Sequence, residues 1–294
     1  MKTAKISFLA IFILFVFSSL TVLHSDKQKK LSIEEAVKSG MFKAEVKGIG
    51  GYSGECITLN VVNLSSIDTT IYIEAGRRLN SVDSTVQDIL VVREVPLLVR
   101  AGEEKNINLF GFCCQATNAG PGKDEEFTLG QMADSNLVKL AVFLNQNSFD
   151  LSTIQNAVWV VSNNHPLASV HSADVSKRKE LRKLHTLLAS IKLLPVNFSW
   201  YTLTYKTDTT RLFSGVADSL FGDFDYSLWK NCAVSLTLND SKGKVIDHFF
   251  VNKGHNPNSY SYEIKMSVAS LPKGKYFVRL IADNQMKSEK VFEL

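Results

Sequence analysis

The sequence predicts a mainly β protein with a helical insert, in which two immunoglobulin-like β-sandwiches flank a three-helix segment. Short runs that alternate apolar and polar residues, separated by polar turns, recur from Phe42 to Cys113. Apolar residues then fall three or four positions apart between residues 134 and 191, which indicates helices. Beyond Pro195 the alternation returns and predicts about seven more strands, the number typical of an immunoglobulin-like sandwich.

Length and composition fit two packed domains. The chain has 294 residues, of which 45% are hydrophobic and 21% are charged. Its net charge of +4 is small for this length, and no dense Lys/Arg patch is interleaved with aromatic residues, which argues against nucleic acid as a partner. We expect a first sandwich with a leading helix over 26–115, a helical segment packed on it over 116–195, and a second sandwich over 196–294.

The N-terminus has the pattern of a secretory signal. Lys2 and Lys5 precede an uncharged apolar run over 6–23, and the small Ser25 could lie just before a cleavage point. Residues 1–25 are therefore predicted to be a signal peptide, or a single N-terminal membrane anchor if the segment is retained. Either outcome places the body of the protein outside the cytosol, secreted or in the cell envelope, at the periplasm or outer surface.

The first region opens with a capping box at Ser32 and Glu35, which predicts a short helix ending near Gly40. The alternation then predicts strands over 56–62, 71–73, 89–92, 97–99 and 107–112. A loop over 116–123 leads into the helices. Asp134 or Ser135 caps the first, Ser152 is predicted to cap the second, which ends near residue 162, and the third covers about 174–191.

The C-terminal region is predicted to contain strands over 198–205, 233–238, 245–251, 260–266, 276–281 and 290–294. A turn over 240–244 has Gly243 where a positive φ is expected. The run from Leu271 to Val278, which reads Leu-Pro-Lys-Gly-Lys-Tyr-Phe-Val, resembles the terminal strand pair of secretion-sorting and flagellar-hook-cap-like sandwiches. This resemblance implies a secreted cell-surface protein similar to those of Bacteroidetes.

The central region carries a second resemblance. Phe112-Cys113-Cys114 is followed about 40 residues later by Ile154-Gln155-Asn156-Ala157-Val158-Trp159. A cysteine followed by a Gln-x-Ala-aliphatic-Trp helix resembles the thioester domains of bacterial surface adhesins. The resemblance implies that Cys113 or Cys114 condenses with Gln155 into a buried acyl bond, which a nucleophile on a host surface then attacks.

Structural roles compete with this one for the same residues. Ser152 and Gln155 have capping-box spacing, so Gln155 could return a hydrogen bond to the backbone of Ser152. Export permits disulfides, and Cys56 could pair with either Cys113 or Cys114. Closing that loop would stabilise the fold by about 4 kcal/mol. Cys232 is predicted to be a buried free thiol.

No other constellation indicates catalysis, a metal or a cofactor. His165, His171 and Asp174 have no metal-ligand spacing, and no serine or cysteine has an identifiable histidine partner. The sequence therefore predicts a non-enzymatic cell-envelope protein with a binding or structural role, whose partner is a protein or glycan at the cell surface. The alternatives are a covalent adhesin that uses the Cys-Gln thioester and, third, a secreted hydrolase.

Overall fold

The computed structural model describes residues 30–194, 200–206 and 213–294, so the predicted N-terminal leader lies outside the described residues. The fold is mainly β with a helical insert, as predicted, and the elements from Ser32 onward belong to one compact unit. The helices are α1 (Ile33–Lys38), α2 (Ser135–Gln146), α3 (Leu151–Ser162) and α4 (Arg178–Ile191), with 3₁₀ turns at Leu167–Ser169 and Val175–Lys177. Within the described residues, no helix has the length and apolar character needed to cross a membrane.

The N-terminal strands are β1 (Leu31–Ser32), β2 (Phe42–Ile49), β3 (Ser53–Asn63), β4 (Thr69–Ile73), β5 (Arg77–Ser81), β6 (Ile89–Val91), β7 (Val95–Val99), β8 (Glu104–Cys113) and β9 (Lys123–Met132). Six of them close into an antiparallel barrel in the order β2-β3-β8-β6-β5-β9. Strands β4 and β7 pair in a small separate sheet. Apolar and polar residues alternate along strands in the same way in barrels and in sandwiches. The sequence therefore predicted a sandwich where the strands close into a barrel.

Strand β9 corrects the predicted boundary between the first two regions. The segment 116–195 was expected to be helical after its loop, but Lys123–Met132 forms the strand that pairs with both β2 and β5. The barrel therefore extends past residue 115. Acidic residues occupy positions 124–126 near the start of this strand, and only Phe127 and Gly130 are buried in it. The strand therefore has too few alternating apolar residues to be predicted from the sequence.

The three later helices cover one side of the barrel wall. Their apolar faces share a core with residues of β6 and β8, and this core includes Leu90, Phe112 and Cys114. Helix α1 begins at the predicted capping box, in which the Ser32 hydroxyl accepts from the backbone N–H of Glu35. Buried Arg77 joins this helix to the barrel through ion pairs with Glu34 and Glu74.

The C-terminal strands are β10 (Tyr201–Tyr205), β11 (Ala217–Leu228), β12 (Cys232–Asp240), β13 (Val245–His255), β14 (Asn258–Ser267), β15 (Lys275–Ala282) and β16 (Gln285–Glu293). They form two sheets, ordered β10-β11-β14 and β13-β12-β15-β16, around a common apolar core. The turn between β12 and β13 has Gly243 at a φ of 83°, as predicted. The long strand β11 was not predicted.

Candidate functional site

The candidate thioester residues meet where helix α3 crosses the end of strand β8. The Gln155 side chain is only 2% exposed, and both ends of its carboxamide bond to one residue. Its Oε1 accepts from the backbone N–H of Cys113 at 3.1 Å, and its Nε2 donates to the backbone carbonyl of Cys113 at 2.8 Å. The carboxamide therefore makes with Cys113 the two backbone hydrogen bonds that a neighbouring strand would otherwise make.

Helix α3 is not capped as the sequence suggested. Its N-cap is Asp150, whose carboxylate accepts from the backbone N–H of Thr153 at 2.7 Å. The predicted capping box between Ser152 and Gln155 is wrong, because the helix starts two residues earlier. Gln155 then lies beyond the N3 position and turns its carboxamide onto Cys113. A signal for this start was available, since Asp150 is itself a favoured N-cap residue.

Cys113 and Cys114 occupy different surroundings. Neighbours on a strand point to opposite faces, and Cys114 packs in the apolar core between the barrel wall and the helices. Its backbone N–H donates to Asp88 at 2.9 Å, not to Gln155. Of the two predicted thioester cysteines, the structure therefore brings Cys113 to Gln155 through direct hydrogen bonds.

The predicted disulfide from Cys56 to Cys113 or Cys114 is absent, and all three residues are buried free thiols. The register of β3 on β8 explains why. Gly54 lies opposite Gly111 and Ile57 lies opposite Leu109, so Cys56 and Cys113 lie on opposite sides of the Gly54–Gly111 pair. Three or four residue steps separate them, which is roughly 10 Å at the usual rise of a strand. That exceeds the reach of a disulfide without backbone movement.

Burial governs the chemistry of these thiols. It raises the pKa of Cys56 and of Cys114 to about 12, and it raises the pKa of Cys113 well above the usual range of a thiol. The proximity of Cys56 and Cys114 adds to the effect at Cys113. The Cys113 sulfur is consequently a neutral thiol at physiological pH, in a site that is closed to water. The fourth cysteine, Cys232, was predicted to be buried and is instead partly exposed.

Two residues with exposed side chains adjoin this buried pair in the chain fold. The backbone carbonyl of Tyr52 accepts a second, longer hydrogen bond from the N–H of Cys113, at 3.3 Å. Leu151 precedes Gln155 by one helical turn, and its methyl groups lie 3.4 Å from the position a Cβ would take at Gly54. The side chains of Tyr52 and Leu151 are each 44% exposed. Neither was identified from the sequence, because a single exposed apolar residue carries no local pattern.

Among the described residues, the other polar groups near the pair form no second reactive set. Trp159, one turn beyond Gln155, and His165 have ring centroids 5.7 Å apart. Their buried Trp159 Nε1 and His165 Nδ1 atoms have no hydrogen-bond partner in the part of the chain that is described. His171 instead bonds Thr202 through Nδ1 at 2.8 Å. Across residues 30–194, 200–206 and 213–294, no group of three or more His, Cys, Asp or Glu residues is placed to hold a metal ion.

Comparison with known proteins gives no family for the chain, since no protein-family model matches it and no curated protein is found as a relative.

Proposed function

We propose that the chain is an exported, non-enzymatic protein of a bacterial cell envelope that attaches covalently to a surface partner through a thioester between Cys113 and Gln155. The observation that carries this proposal is the pair of hydrogen bonds between the Gln155 carboxamide and the backbone of Cys113, which holds the glutamine beside that cysteine. The resemblance to thioester domains pointed to Cys113 and Gln155, which are 42 residues apart in the sequence. The fold supports a bond between them because it buries both residues side by side.

The bond would form by condensation. The Cys113 sulfur attacks the side-chain carbonyl carbon of Gln155, the thiol proton passes to the amide nitrogen, and ammonia leaves. The products are an S-acyl bond and one ammonia, so no oxidant or cofactor is needed. A carboxamide is a poor acyl donor in water, so the reaction depends on the two groups being held together.

The surroundings of the carboxamide favour this step. The Cys113 backbone N–H already points at Gln155 Oε1, where negative charge develops during attack, so it is a preorganised donor for that charge. The bond from Nε2 to the Cys113 carbonyl orients the leaving nitrogen. Because burial disfavours the thiolate, conversion of a neutral thiol and a neutral amide into a neutral thioester leaves no charge in the closed site.

The test is the intact mass of protein purified without amine buffers. We expect wild type to lack the mass of one ammonia relative to its sequence. Methylamine should then add its full mass to that product and free one thiol for alkylation. A reductant should leave the deficit unchanged, which separates it from the loss of two hydrogens by a disulfide.

Matched variants test which residues form the thioester. Gln155→Ala and Cys113→Ala should each have the full calculated mass and take up no methylamine. Cys114→Ala should keep the deficit, because the Gln155 carboxamide is hydrogen-bonded to Cys113 and not to Cys114. A full, unreacted mass in wild type overturns the proposal, and a deficit that survives Cys113→Ala but not Cys114→Ala would move the bond to Cys114.

A non-covalent binding or structural role is the second candidate, and one observation favours it. Both polar ends of Gln155 are already satisfied by Cys113, so the glutamine can fasten helix α3 to β8 without any reaction. In that role the partner is a protein or glycan at the cell surface, and the mass experiment returns the full calculated value.

A further inference from the structure

A pocket lies where the helical layer meets the C-terminal sandwich, and it encloses about 300 Å³. Its described lining comes from the segment after α3, from β10 and the start of β11, from the loop between β14 and β15, and from the end of β16. No described lining residue belongs to the Cys113–Gln155 site. Ligand pockets form preferentially where separate parts of a fold meet in this way.

Alternate residues of β10 form one wall of the pocket. Tyr201, Leu203 and Tyr205 are two positions apart, so they lie on one face of the strand, and all three line the pocket. Ala217, at the start of β11, pairs with Tyr205 across the strands and also lines the pocket. Because directly opposite residues of an antiparallel pair share a face, Ala217 lies beside Tyr205 in this wall.

The aromatic side chains of the pocket are held in place by their neighbours. The Tyr201 hydroxyl accepts from the backbone N–H of Glu293 at 3.1 Å, and its ring centroid lies 5.8 Å from that of Phe292. Phe213, which also lines the pocket, has its ring centroid 4.6 Å from that of Tyr205. These walls are therefore formed before any ligand binds, which spares the cost of ordering them on binding.

The enclosed part of the pocket is apolar. Leu203 and Val268 are 4% and 1% exposed, whereas Lys273 and Glu293, the only ionised side chains among the described lining residues, are both exposed. Burial raises the pKa of Tyr205 to about 12, so its hydroxyl stays neutral. A charged group drawn inside would lose its hydration without a buried partner, whereas an uncharged ring gains by leaving water.

We infer that this pocket binds a small, uncharged aromatic molecule of one or two rings. The size follows from the volume, since an apolar cavity of about 150 Å³ holds benzene and this pocket encloses about 300 Å³. The aromatic character follows from Tyr201, Tyr205 and Phe213, because aromatic rings gain from edge and face contacts with one another beyond the area they bury. This binding does not depend on the proposed thioester.

Calorimetric titration of the full-length protein tests this specificity. The probes are 2-phenylethanol, its saturated counterpart 2-cyclohexylethanol, and two charged analogues, phenylacetate and benzyltrimethylammonium. The ammonium probe has no N–H group, so it cannot add to a thioester. We expect 2-phenylethanol to bind saturably, with one molecule per chain, and both charged analogues to bind at least about tenfold more weakly.

Three variants locate the binding. Ala217→Phe places a ring in the pocket beside Tyr205 and should weaken 2-phenylethanol binding at least about tenfold. Ala233→Phe is the matched control, because Ala233 is exposed on β12, and it should bind like wild type. Tyr205→Leu keeps the wall apolar but removes a ring, so it should lower the affinity for 2-phenylethanol relative to 2-cyclohexylethanol at least about threefold. The same variant serves if Ala217→Phe does not fold.

Each outcome decides. The absence of saturable 2-phenylethanol binding in wild type overturns the inference, and so does binding of the charged analogues with equal affinity. Unchanged binding in Ala217→Phe, or an unchanged ratio of the two alcohol affinities in Tyr205→Leu, overturns it as well. Cys113→Ala should bind 2-phenylethanol like wild type, so a failure of the thioester leaves this pocket unaffected.

Discussion

Asp150 holds the N-terminus of helix α3 through four hydrogen bonds. Its carboxylate accepts from the Thr153 backbone, and from the hydroxyls of Ser152, Thr153 and Ser172, at 2.7 to 2.9 Å. Partial burial acts to raise the pKa of Asp150, but these hydrogen bonds outweigh it and lower the pKa below the usual value. One side chain thus sets the start of the helix that delivers Gln155 to Cys113.

Replacing this cap should weaken the fold in a pH-dependent way. We expect Asp150→Ala to lower the free energy of unfolding by about 1–2 kcal/mol at pH 7, and Ser152→Ala to change it by under about 0.5 kcal/mol. Because the folded pKa is lowered, the stabilisation exists above the unfolded pKa of about 3.9 and disappears as the pH falls through the folded value. Urea unfolding at pH 7 and pH 3 measures both effects. A larger loss in Ser152→Ala than in Asp150→Ala would contradict the observed cap.

Gln155 shows what the sequence can and cannot predict about a single residue. The sequence identified the residue and its helix, but its partner lies 42 residues earlier, and no local pattern specifies such a contact. The correct partner also changes an expected mutation. A glutamate at 155 would place a carboxylate against the Cys113 carbonyl, which now accepts a hydrogen bond from Nε2. Gln155→Glu is therefore not the neutral change that a capping role would make it.

Among the elements, β8 is the strand on which most of the barrel and the site depend. It pairs with β3 and β6, and it packs against the helices through Phe112, as does Cys114, the residue just after the strand. Gly111 allows β6 to approach it. A Cβ at Gly111 would lie 2.3 Å from the Cγ2 atom of Ile89, the residue that pairs with Cys113.

Gly111→Ala should therefore be costly. We expect it to lower the free energy of unfolding by about 1–3 kcal/mol, because Ile89 is fully buried and has little room to move. Gly254→Ala is the control, since its Cβ position has no atom within 4 Å among the described residues and its φ is ordinary. It should change stability by under about 0.5 kcal/mol. Equal urea midpoints for the two variants would contradict this prediction, because they would show that Ile89 can move aside for the added Cβ.

Strands in which apolar and polar residues alternate could be predicted from the sequence. Strands whose place is fixed only by the strands they pair with could not. The runs that became β3, β8 and β15 alternate clearly and were identified from sequence. Strand β9 carries three acidic residues in succession, and its place is fixed by pairing with β2 and β5. Tertiary pairing overrides local preference in such strands, so closure of the barrel could not be inferred from periodicity.

Across the whole molecule, the helical layer and the C-terminal sandwich are in contact. Ala168, from the 3₁₀ turn after α3, lies in the core of the sandwich. His171 bonds Thr202 and stacks on Phe221 with ring centroids 4.4 Å apart. Arg178 at the start of α4 pairs with Asp223 and Glu263. These contacts join regions that the sequence presented as separate.

The histidines of this layer should make stability depend on pH. Burial lowers the pKa of His165 to about 4, with Lys192 nearby, and burial also lowers that of His171 despite the opposing charge of Asp150. His185 has a lowered pKa for the same reason, with His171 close to it. The folded state then binds fewer protons than the unfolded state below about pH 6.5, so stability falls as the pH is lowered from there.

We expect the urea midpoint to decrease between pH 7 and pH 4.5, and to decrease less in His165→Gln. His248→Gln, at an exposed position on β13, is the control and should follow wild type. A midpoint that stays constant over this range would mean that the buried histidines charge without cost. The window lies above the pKa of Asp150, so the two titrations can be separated.

The position of β9 also sets the order of events during synthesis. Val46 on β2 pairs with Phe127 on β9, although most of the barrel sequence lies between them. As the chain emerges N-terminus first, β2 and β5 keep an unpaired edge until Met132 has appeared. Contacts so distant in sequence form slowly, and open strand edges recruit other chains in the meantime. Barrel closure is then the step at which a nascent chain is most exposed to aggregation, and one at which a chaperone would be most useful.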